Sequence, residues 1–289
     1  MISICGDVHN FYELVVNYSK IAEEAGCSAM IQVGDWGQNK KDINNAVAKS
    51  YYPHLPVFVV AGNHEAFDLW EGFEGIKEVM HNVFFVQKGH IMKLDGLNVL
   101  FCGGASSIDK KWQGSSWDWR EDIQPADVAR FEKNYNEFLE LRDGCEKIDL
   151  MISHVPPASV IDRNFDPKQK LAFDVPIYWQ DKSAPIVEEI WKQVGEPVLK
   201  CGHMHKRVID GNCQILDINE MIFYPPAPLL SAEEANAQMS PEVRALQKER
   251  LDDLESVRNS RIIPSMNEPE PWEHPMELAH PLDKPNARK

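Results

Sequence analysis

The sequence predicts an α/β protein on two observations. Short apolar runs rich in β-branched and aromatic residues recur along the chain, and helical patterns lie between several of them. Strands that alternate with helices are typical of sheets whose faces are covered by helices. This order of elements predicts an α/β or a layered α/β/α domain.

Eight of the apolar runs are candidate buried strands. Each is a short and mostly apolar run, which is the pattern of a strand buried on both faces. The runs are residues 2–5, 29–33, 56–61, 83–86, 98–102, 150–153, 197–201 and 213–218.

Three segments between these runs have the apolar spacing of an amphipathic helix. Glycine just past the last apolar position is a common helix stop, and proline is common at a helix start. The segments are residues 14–25 followed by Gly26, residues 128–138 preceded by Pro125, and residues 186–194 followed by Gly195.

Length and charge limit the classes of function. The 289 residues, 43% of them apolar, can bury a full core and allow one large domain with an appendage or two modest domains. The formal net charge of −15 disfavours long nucleic acids and anionic membranes as partners. A phosphate-bearing substrate stays allowed, because bound cations can dominate the local field of a site.

The cysteines and the apolar segments predict the compartment. Six cysteines are scattered without a CxxC pair, which predicts buried thiols in a reducing compartment. The first residues lack a signal-peptide pattern, and no apolar stretch approaches the ~18 residues of a membrane span. We therefore expect a cytoplasmic protein without a membrane segment.

The chain changes character near residue 223. Three prolines at 225–228 indicate a linker, a helical stripe follows at residues 243–257, and residues 264–289 contain six prolines and little apolar pattern. The sequence predicts a main domain at 1–222 and an extension at 223–289. The apolar stripe at residues 243–257 predicts that this helix packs against the rest of the chain or forms a homo-oligomer through the tail.

Side chains that can bind metal ions follow five of the predicted strands. The segments at the ends of these strands are Gly-Asp-Val-His (6–9), Gly-Asp-Trp-Gly (34–37), Gly-Asn-His-Glu (62–65), Ser-His (153–154) and Gly-His-Met-His (202–205). Loops at the carboxyl ends of strands gather side chains from distant parts of the sequence onto one rim. The candidate ligands are Asp7, His9, Asp35, Asn63, His154, His203 and His205.

The chemistry of these side chains indicates a metal site. Carboxylate oxygen and neutral imidazole nitrogen suit Mn, Fe, Zn or Ni, and an amide oxygen adds a ligand without adding charge. Two Asp, four His and one Asn exceed the needs of one tetrahedral ion, and they suit two ions that share a carboxylate.

In this order, GDVHN, GDWGQ, GNHE, SH and GHMH resemble the five signature blocks of the calcineurin-like metallophosphoesterase superfamily. The matched blocks run from Asp7 to His205 and leave the tail uncovered. The resemblance implies a catalytic domain at 1–222 built as a four-layer α/β/β/α sandwich, with a dinuclear metal centre on its rim. It also implies which residues hold each ion: Asp7, His9 and His205 hold one, Asn63, His154 and His203 hold the other, and Asp35 bridges.

The resemblance also implies an activity. Two divalent ions, with manganese the first expectation and Fe, Zn or Ni as alternatives, would hold a bridging hydroxide for in-line attack on a phosphoester. His64 matches the family histidine that stabilises the transition state or protonates the leaving group. Glu65 is expected to support the ligands without binding metal. The sequence is compatible with a phosphomonoesterase and with a phosphodiesterase.

The sequence departs from many serine/threonine phosphatases of this superfamily, whose second block reads GDxxDRG. Here Trp36 and Gly37 follow Asp35, and this difference argues against a protein phosphatase. The insertion-like segment 106–147 continues GGASSID (103–109), which is similar to bacterial and phage-borne members. Lys111 or Arg120, together with Asn63, are the expected phosphate contacts. Tryptophans at 112, 117 and 119 could equally line the substrate or pack the insertion.

Two alternatives to a small-molecule phosphohydrolase remain open. The first is a nuclease of the same fold, against which the acidic charge counts. The second is an inactive scaffold of this fold that binds proteins, against which the complete set of ligand residues counts. The expected partner is thus a small or nucleotide-like phosphoester.

Overall fold

The structure is a computed structural model, and it describes residues 1–38, 40–113, 118–141 and 146–225, without the side chains of residues 112 and 113. The predictions for residues 226–289, including the helical stripe and the oligomer through the tail, lie outside the described residues. So do residues 114–117 and 142–145 of the insertion-like segment.

Two six-stranded mixed sheets form the centre of the fold. The first has the order β12-β1-β2-β3-β5-β4, and the second has the order β10-β11-β9-β8-β7-β6. The strands are β1 (Ile2–Cys5), β2 (Ala29–Gln32), β3 (Val57–Val59), β4 (Ile76–Met80), β5 (Val83–Val86), β6 (His90–Leu94), β7 (Leu97–Cys102), β8 (Leu150–Ser153), β9 (Val198–Cys201), β10 (Val208–Asp210), β11 (Cys213–Ile215) and β12 (Met221–Tyr224).

Both sheets are built to the same plan. Four central strands pair in parallel, and one antiparallel strand closes each edge. Parallel strands buried on both faces need continuous apolar sequence, whereas an edge strand tolerates polar residues. This difference decides which strands the sequence reveals.

Helices cover the outer faces of the sheets. The described α-helices are α1 (Tyr12–Glu24), α2 (Lys40–Ala48), α3 (Lys110–Gln113), α4 (Pro125–Leu141), α5 (Ala158–Asn164) and α6 (Ser183–Gln193). Helices α1 and α2 pack on the first sheet, and α4, α5 and α6 pack on the second.

Alternate residues of the central strands point into different cores. In β8, Leu150 and Ile152 enter the core between the sheets, while Met151 enters the core shared with the helices. The same alternation places Ile2 and Ile4 of β1 between the sheets. The result is a four-layer α/β/β/α sandwich, and the predicted fold class is confirmed.

All eight predicted strands form, but two are clearly shorter than predicted: 56–61 forms a strand only at Val57–Val59, and 213–218 ends at Ile215. The sequence missed β4, β6, β10 and β12, which are the four antiparallel edges of the two sheets. Their residues are mostly half-buried, so they lack a continuous apolar run. The three predicted helices correspond to α1, α4 and α6.

The strand β12 crosses the boundary predicted at residue 222. Phe223 pairs with Ser3 and Tyr224 pairs with Ile2, so the first sheet continues two residues beyond that boundary. The five cysteines that the structure describes are buried free thiols, as predicted. Among the described residues, no helix has both the length and the apolar character needed to span a bilayer.

Candidate active site

The predicted ligands meet where the carboxyl ends of the parallel strands converge. Asp7, Asp35 and Asn63 follow β1, β2 and β3 of the first sheet, and His154 and His203 follow β8 and β9 of the second. Both sheets therefore contribute to one rim. Asp7, Asp35 and His154 are almost fully buried.

The backbone at this rim adopts a conformation that side chains disfavour. His9, Asp35, His203 and His205 have φ angles of 43°, 58°, 68° and 47°. Non-glycine residues with positive φ cluster at functional sites, where the surrounding structure holds them in place. Gly202 allows the close approach, because a Cβ there would clash with Asp7 Oδ1.

A first group of ligand atoms lies at the open side of the rim. Asp7, His9, Asp35 and His205 each offer one ligand atom within 4.8 Å of the others. His9 Nε2 lies 3.0 Å from His205 Nε2, and His205 Nε2 lies 3.2 Å from Asp7 Oδ2. Two imidazole nitrogens and two carboxylates that converge in this way fit a divalent cation.

A second group lies deeper in the rim. Asn63 Oδ1 is 3.0 Å from His154 Nε2 and 3.0 Å from His203 Nδ1. Asp35 Oδ1 is 3.3 Å from His154 Nε2. His154 Nδ1 donates to the carbonyl of Val33 over 2.8 Å, so Nε2 is the nitrogen left for a metal.

Asp35 belongs to both groups. Its Oδ2 lies 3.5 Å from His9 Nε2, whereas its Oδ1 faces His154. Burial favours the neutral acid, but the surrounding histidines, with His154 contributing most through its charge and a hydrogen bond, together outweigh it and hold the pKa of Asp35 well below its usual range. The carboxylate thus stays ionised, and its two oxygens point toward different sets of ligands.

The imidazoles respond to the buried carboxylates. Burial lowers the pKa of His9, while a hydrogen bond to Asp7 raises the pKa of His205. Burial opposes the charging of His154, but Asp35 and Asp7 raise its pKa to about 10. A divalent cation would take over the charge balance that the proton on His154 supplies. The donor set therefore fits metal.

Glu65 lies behind the ligands and joins the loops after β2 and β3. Its carboxyl group accepts the backbone N–H groups of Gly62, Trp36 and Gly37 at 2.8, 3.0 and 3.4 Å. Burial and the charge of Asp35 raise the pKa of Glu65 to about 8, although the N–H donors of Gly62 and Trp36 act to lower it. Glu65 thus supports the ligand loops, as expected.

His64 faces the cavity beside the ligands. Its backbone N–H donates to Asp35 Oδ1 over 2.8 Å, and its ring nitrogen Nδ1 contacts the side chain of Gln38. The imidazole ring centre lies 5.4 Å from that of His9. The ring is therefore anchored through Nδ1, which leaves Nε2 for a proton transfer.

Three supporting residues were missed at the sequence level. Asn63 Nδ2 donates to Ser107 Oγ over 3.0 Å, and Ser107 Oγ donates to Glu121 Oε2 over 2.7 Å. Asp181 Oδ2 lies 3.5 Å from His203 Nε2. Ser107 is part of the GGASSID segment, but nothing in the sequence marks Asp181 or Glu121 as neighbours of the ligands.

The two predicted cationic phosphate contacts lie elsewhere. Arg120 makes hydrogen bonds to Asp118, Glu71 and Asp68 at 2.9, 2.7 and 3.0 Å. Lys111 pairs with Asp174. Neither cation lines the cavity beside the ligands. Trp119 is 59% exposed, and the side chains of residues 112 and 117 lie outside the described residues.

A two-sheet sandwich with a buried carboxylate–imidazole cluster at its rim defines a metal-binding α/β protein. The family model described as calcineurin-like phosphoesterase matches residues 1–207. The chain belongs to this family, and it is a metal-dependent phosphoester hydrolase.

Comparison with solved structures gives distant similarities. The protein TT1561 of Thermus thermophilus is 13% identical with a TM-score of 0.40, over 74% of this chain and 88% of that one. GAP50 of Plasmodium, the anchor in the inner membrane complex, is 12% identical with a TM-score of 0.37, over 74% of this chain and 70% of that one. A comparison with curated proteins found no match.

Proposed function

We propose that the protein hydrolyses a small or nucleotide-like phosphoester with two divalent cations, which Asp35 bridges. The position of Asp35 carries this proposal. Its Oδ2 faces His9 at 3.5 Å and its Oδ1 faces His154 at 3.3 Å, so one carboxylate reaches two separate groups of ligands. In this assignment Asp7, His9 and His205 complete one ion site, and Asn63, His154 and His203 complete the other.

Manganese is the first expectation for both ions. Mixed carboxylate, imidazole and amide ligands without thiolate are suited to Mn and Fe, and they also accept Zn and Ni. Two bound divalent cations would supply an activated water nucleophile near neutral pH and would neutralise charge on the phosphoryl oxygens.

His64 is the proposed proton donor to the leaving oxygen. It lines the cavity next to Asp35, and its Nδ1 is held by Gln38, so Nε2 carries the proton toward the substrate. Asn63 holds its amide oxygen toward the metal side and its amide nitrogen toward Ser107. The phosphoryl group would therefore lie between the bridging Asp35 and His64.

The charge of the chain supports a small substrate. The net charge of −15 opposes long polyanions, and Lys111 and Arg120 are paired with carboxylates. The five buried free thiols support the cytoplasmic location predicted from the sequence.

The test is hydrolysis of one chromogenic phosphomonoester and one phosphodiester by metal-stripped protein reconstituted with Mn, Ni, Zn or Mg. We expect metal-dependent activity that falls at least 100-fold in Asp35→Asn and about 100-fold in kcat in His64→Ala. The exposed residue His81 provides the matched control, His81→Ala, which should retain full activity.

The ratio of diester to monoester turnover assigns the substrate class. Equal activity in Asp35→Asn and the wild type would contradict the bridging role. Salt-sensitive binding and cleavage of single-stranded DNA would instead favour the nuclease. Full metal occupancy without hydrolysis of either ester would contradict the proposal and favour the scaffold.

A further inference from the structure

A cavity of about 440 Å³ opens directly beside the ligand cluster. Asp35, Asn63, His64, His203 and His205 form one side of it, so the cavity and the proposed metal centre are one continuous space. Its volume lies within the range of about 300–1,000 Å³ that is typical of sites for small organic ligands. A phosphoryl group alone would leave most of it unfilled.

Apolar and aromatic side chains form another part of the cavity lining. Phe165, Phe173 and Trp179 line it, together with Ile161 and Met204. The three aromatic residues belong to the connection between α5 and α6, which contains the 3₁₀ helix Pro167–Phe173. Aromatic walls favour flat ring systems, because rings stack on them with large buried area.

The charges that line the cavity oppose a second phosphate. Asp109, Asp162 and Asp166 lie on its wall, against two lysines. Lys170 Nζ donates to the carbonyl of Trp179 over 2.6 Å, and Lys206 Nζ lies 5.4 Å from the ring centre of Phe165. Both lysines contact the aromatic wall, and the three carboxylates outnumber them, so the summed charge of these groups disfavours additional anionic groups.

The backbone at Trp179 is held from both sides. Its N–H donates to the carbonyl of Pro176 over 2.8 Å, and its carbonyl accepts from Lys170. The backbone that carries the indole is consequently an ordered turn, so no backbone has to be ordered when a ligand stacks there. The neighbouring Tyr178 is 82% exposed and does not line the cavity.

We propose that this cavity binds the organic group of the substrate, and that this group is an uncharged flat ring on a single phosphoryl group. An aryl phosphate and a nucleoside monophosphate share this chemistry. The inference rests on the proposed function for the position of the phosphoryl group at Asp35 and His64. It adds that Trp179 and Phe173 select the ester by stacking on its ring.

The test uses phosphonates, since their C–P bond is not a substrate for ester hydrolysis. Binding of phenylphosphonate and methylphosphonate to the Mn²⁺-loaded protein is measured by calorimetry. We expect phenylphosphonate to bind at least tenfold more tightly in the wild type and in Tyr178→Ala. Trp179→Ala should bind both with similar Kd. Phe173→Ala, at a 37% exposed position, is a second variant that should reduce the preference if Trp179→Ala fails to fold.

Equal Kd values for the two phosphonates in the wild type would overturn the inference, as would a preference that persists in both wall variants. Because binding needs no turnover, these outcomes are separate from failure of the proposed hydrolysis. In the kinetic arm, kcat/KM for phenyl phosphate and adenosine monophosphate is compared with that for glycerol 2-phosphate. We expect kcat/KM for each of the two ring esters to be at least tenfold higher than for glycerol 2-phosphate. A higher kcat/KM for adenosine triphosphate than for adenosine monophosphate would contradict the requirement for a single phosphoryl group.

Discussion

The side-chain amide of Asn63 donates to the hydroxyl of Ser107 over 3.0 Å. Ser107 in turn gives its own proton to Glu121 over 2.7 Å, so the serine oxygen can only accept from the amide nitrogen. This order fixes the amide of Asn63, and its oxygen must face His154 and His203 at 3.0 Å each. A chain of three buried side chains thus determines which atom of Asn63 is offered to a metal.

Ser107→Ala should therefore weaken binding of one cation. The amide loses the acceptor that orients it, and loss of such an outer partner lowers metal affinity by about 10- to 100-fold. Titration of the metal-stripped protein with Mn²⁺, followed by electron paramagnetic resonance, measures the two affinities. Ser159→Ala on α5 is the matched control, and we expect unchanged binding there. Unaltered affinities in Ser107→Ala would show that Asn63 is oriented by other contacts.

Asp181→Asn should act on His203 while keeping the start of α6 capped. Asp181 Oδ1 accepts the N–H groups of Ser183 and Ala184 at 2.7 and 3.2 Å, and asparagine can also cap a helix start. Its Oδ2 accepts the backbone N–H of Ser106 over 2.6 Å and faces His203 Nε2 at 3.5 Å. An amide nitrogen in place of Oδ2 loses the bond to Ser106, and the loss of charge makes the imidazole of His203 a weaker ligand. We expect Mn²⁺ affinity to fall about tenfold at one site, and the free energy of unfolding to fall by no more than the cost of one unpaired buried donor, about 1–3 kcal/mol. A large drop in Tm with unchanged affinity would reverse this assignment.

Arg120 gives a prediction that separates structure from substrate binding. Hydrogen bonds to Asp118, Glu71 and Asp68 hold it outside the cavity, so Arg120→Ala should leave KM for a small phosphoester within about twofold. It should also reduce the free energy of unfolding at pH 7 by about 1 kcal/mol, since partly exposed ion pairs contribute little. A tenfold rise in KM would restore Arg120 as a phosphate contact.

The stability effect of Arg120→Ala should depend on pH. The hydrogen bond from Arg120 holds the pKa of Asp118 below the usual range of an aspartic acid. A carboxyl whose folded pKa is depressed contributes stability above its unfolded pKa and loses it as the pH falls through the folded pKa. The difference between wild type and Arg120→Ala should thus be full above about pH 5 and shrink below about pH 4. Urea unfolding of metal-free protein at several pH values between about 3 and 7 measures it.

The sequence predicts the parts of the fold that are buried on both faces. Central strands such as β3 and β5 show as continuous apolar runs because both of their faces enter a core. The antiparallel edges β4 and β12 are half-buried and carry mixed residues, so their pairing becomes visible only in three dimensions. Local pattern cannot reveal them, because tertiary contacts determine their position.

The same distinction applies to the site. The ligands follow strand ends at fixed spacing, and a resemblance to known blocks could therefore mark residues such as Asp7 and His203 in advance. Ser107 and Asp181 support those ligands from segments that are far away in sequence and have no fixed spacing to them. Arg120 shows the converse, since its charge suggested a phosphate contact and its three acidic partners are visible only in the structure.

Glu65 should be the main brace of the ligand loops. It is buried, and Glu65→Ala leaves the N–H groups of Gly62 and Trp36 without an acceptor, in addition to the weaker contact with Gly37. Buried donors left unpaired cost about 1–3 kcal/mol each, so the free energy of unfolding should fall by about 3 kcal/mol. Urea denaturation of metal-free protein at pH 7 measures this loss.

Two further variants separate the loss of the hydrogen bonds that Glu65 accepts from the general effect of removing a glutamate. Glu65→Gln keeps an oxygen at the position that accepts from Gly62 and Trp36, so it should lose less than half as much stability as Glu65→Ala. Glu137→Ala on the exposed face of α4 should stay within about 0.5 kcal/mol of the wild type. If Glu65→Ala were as stable as Glu137→Ala, the loops after β2 and β3 would be held by other contacts. The geometry of Asp35 and Asn63 would then be independent of this carboxyl group.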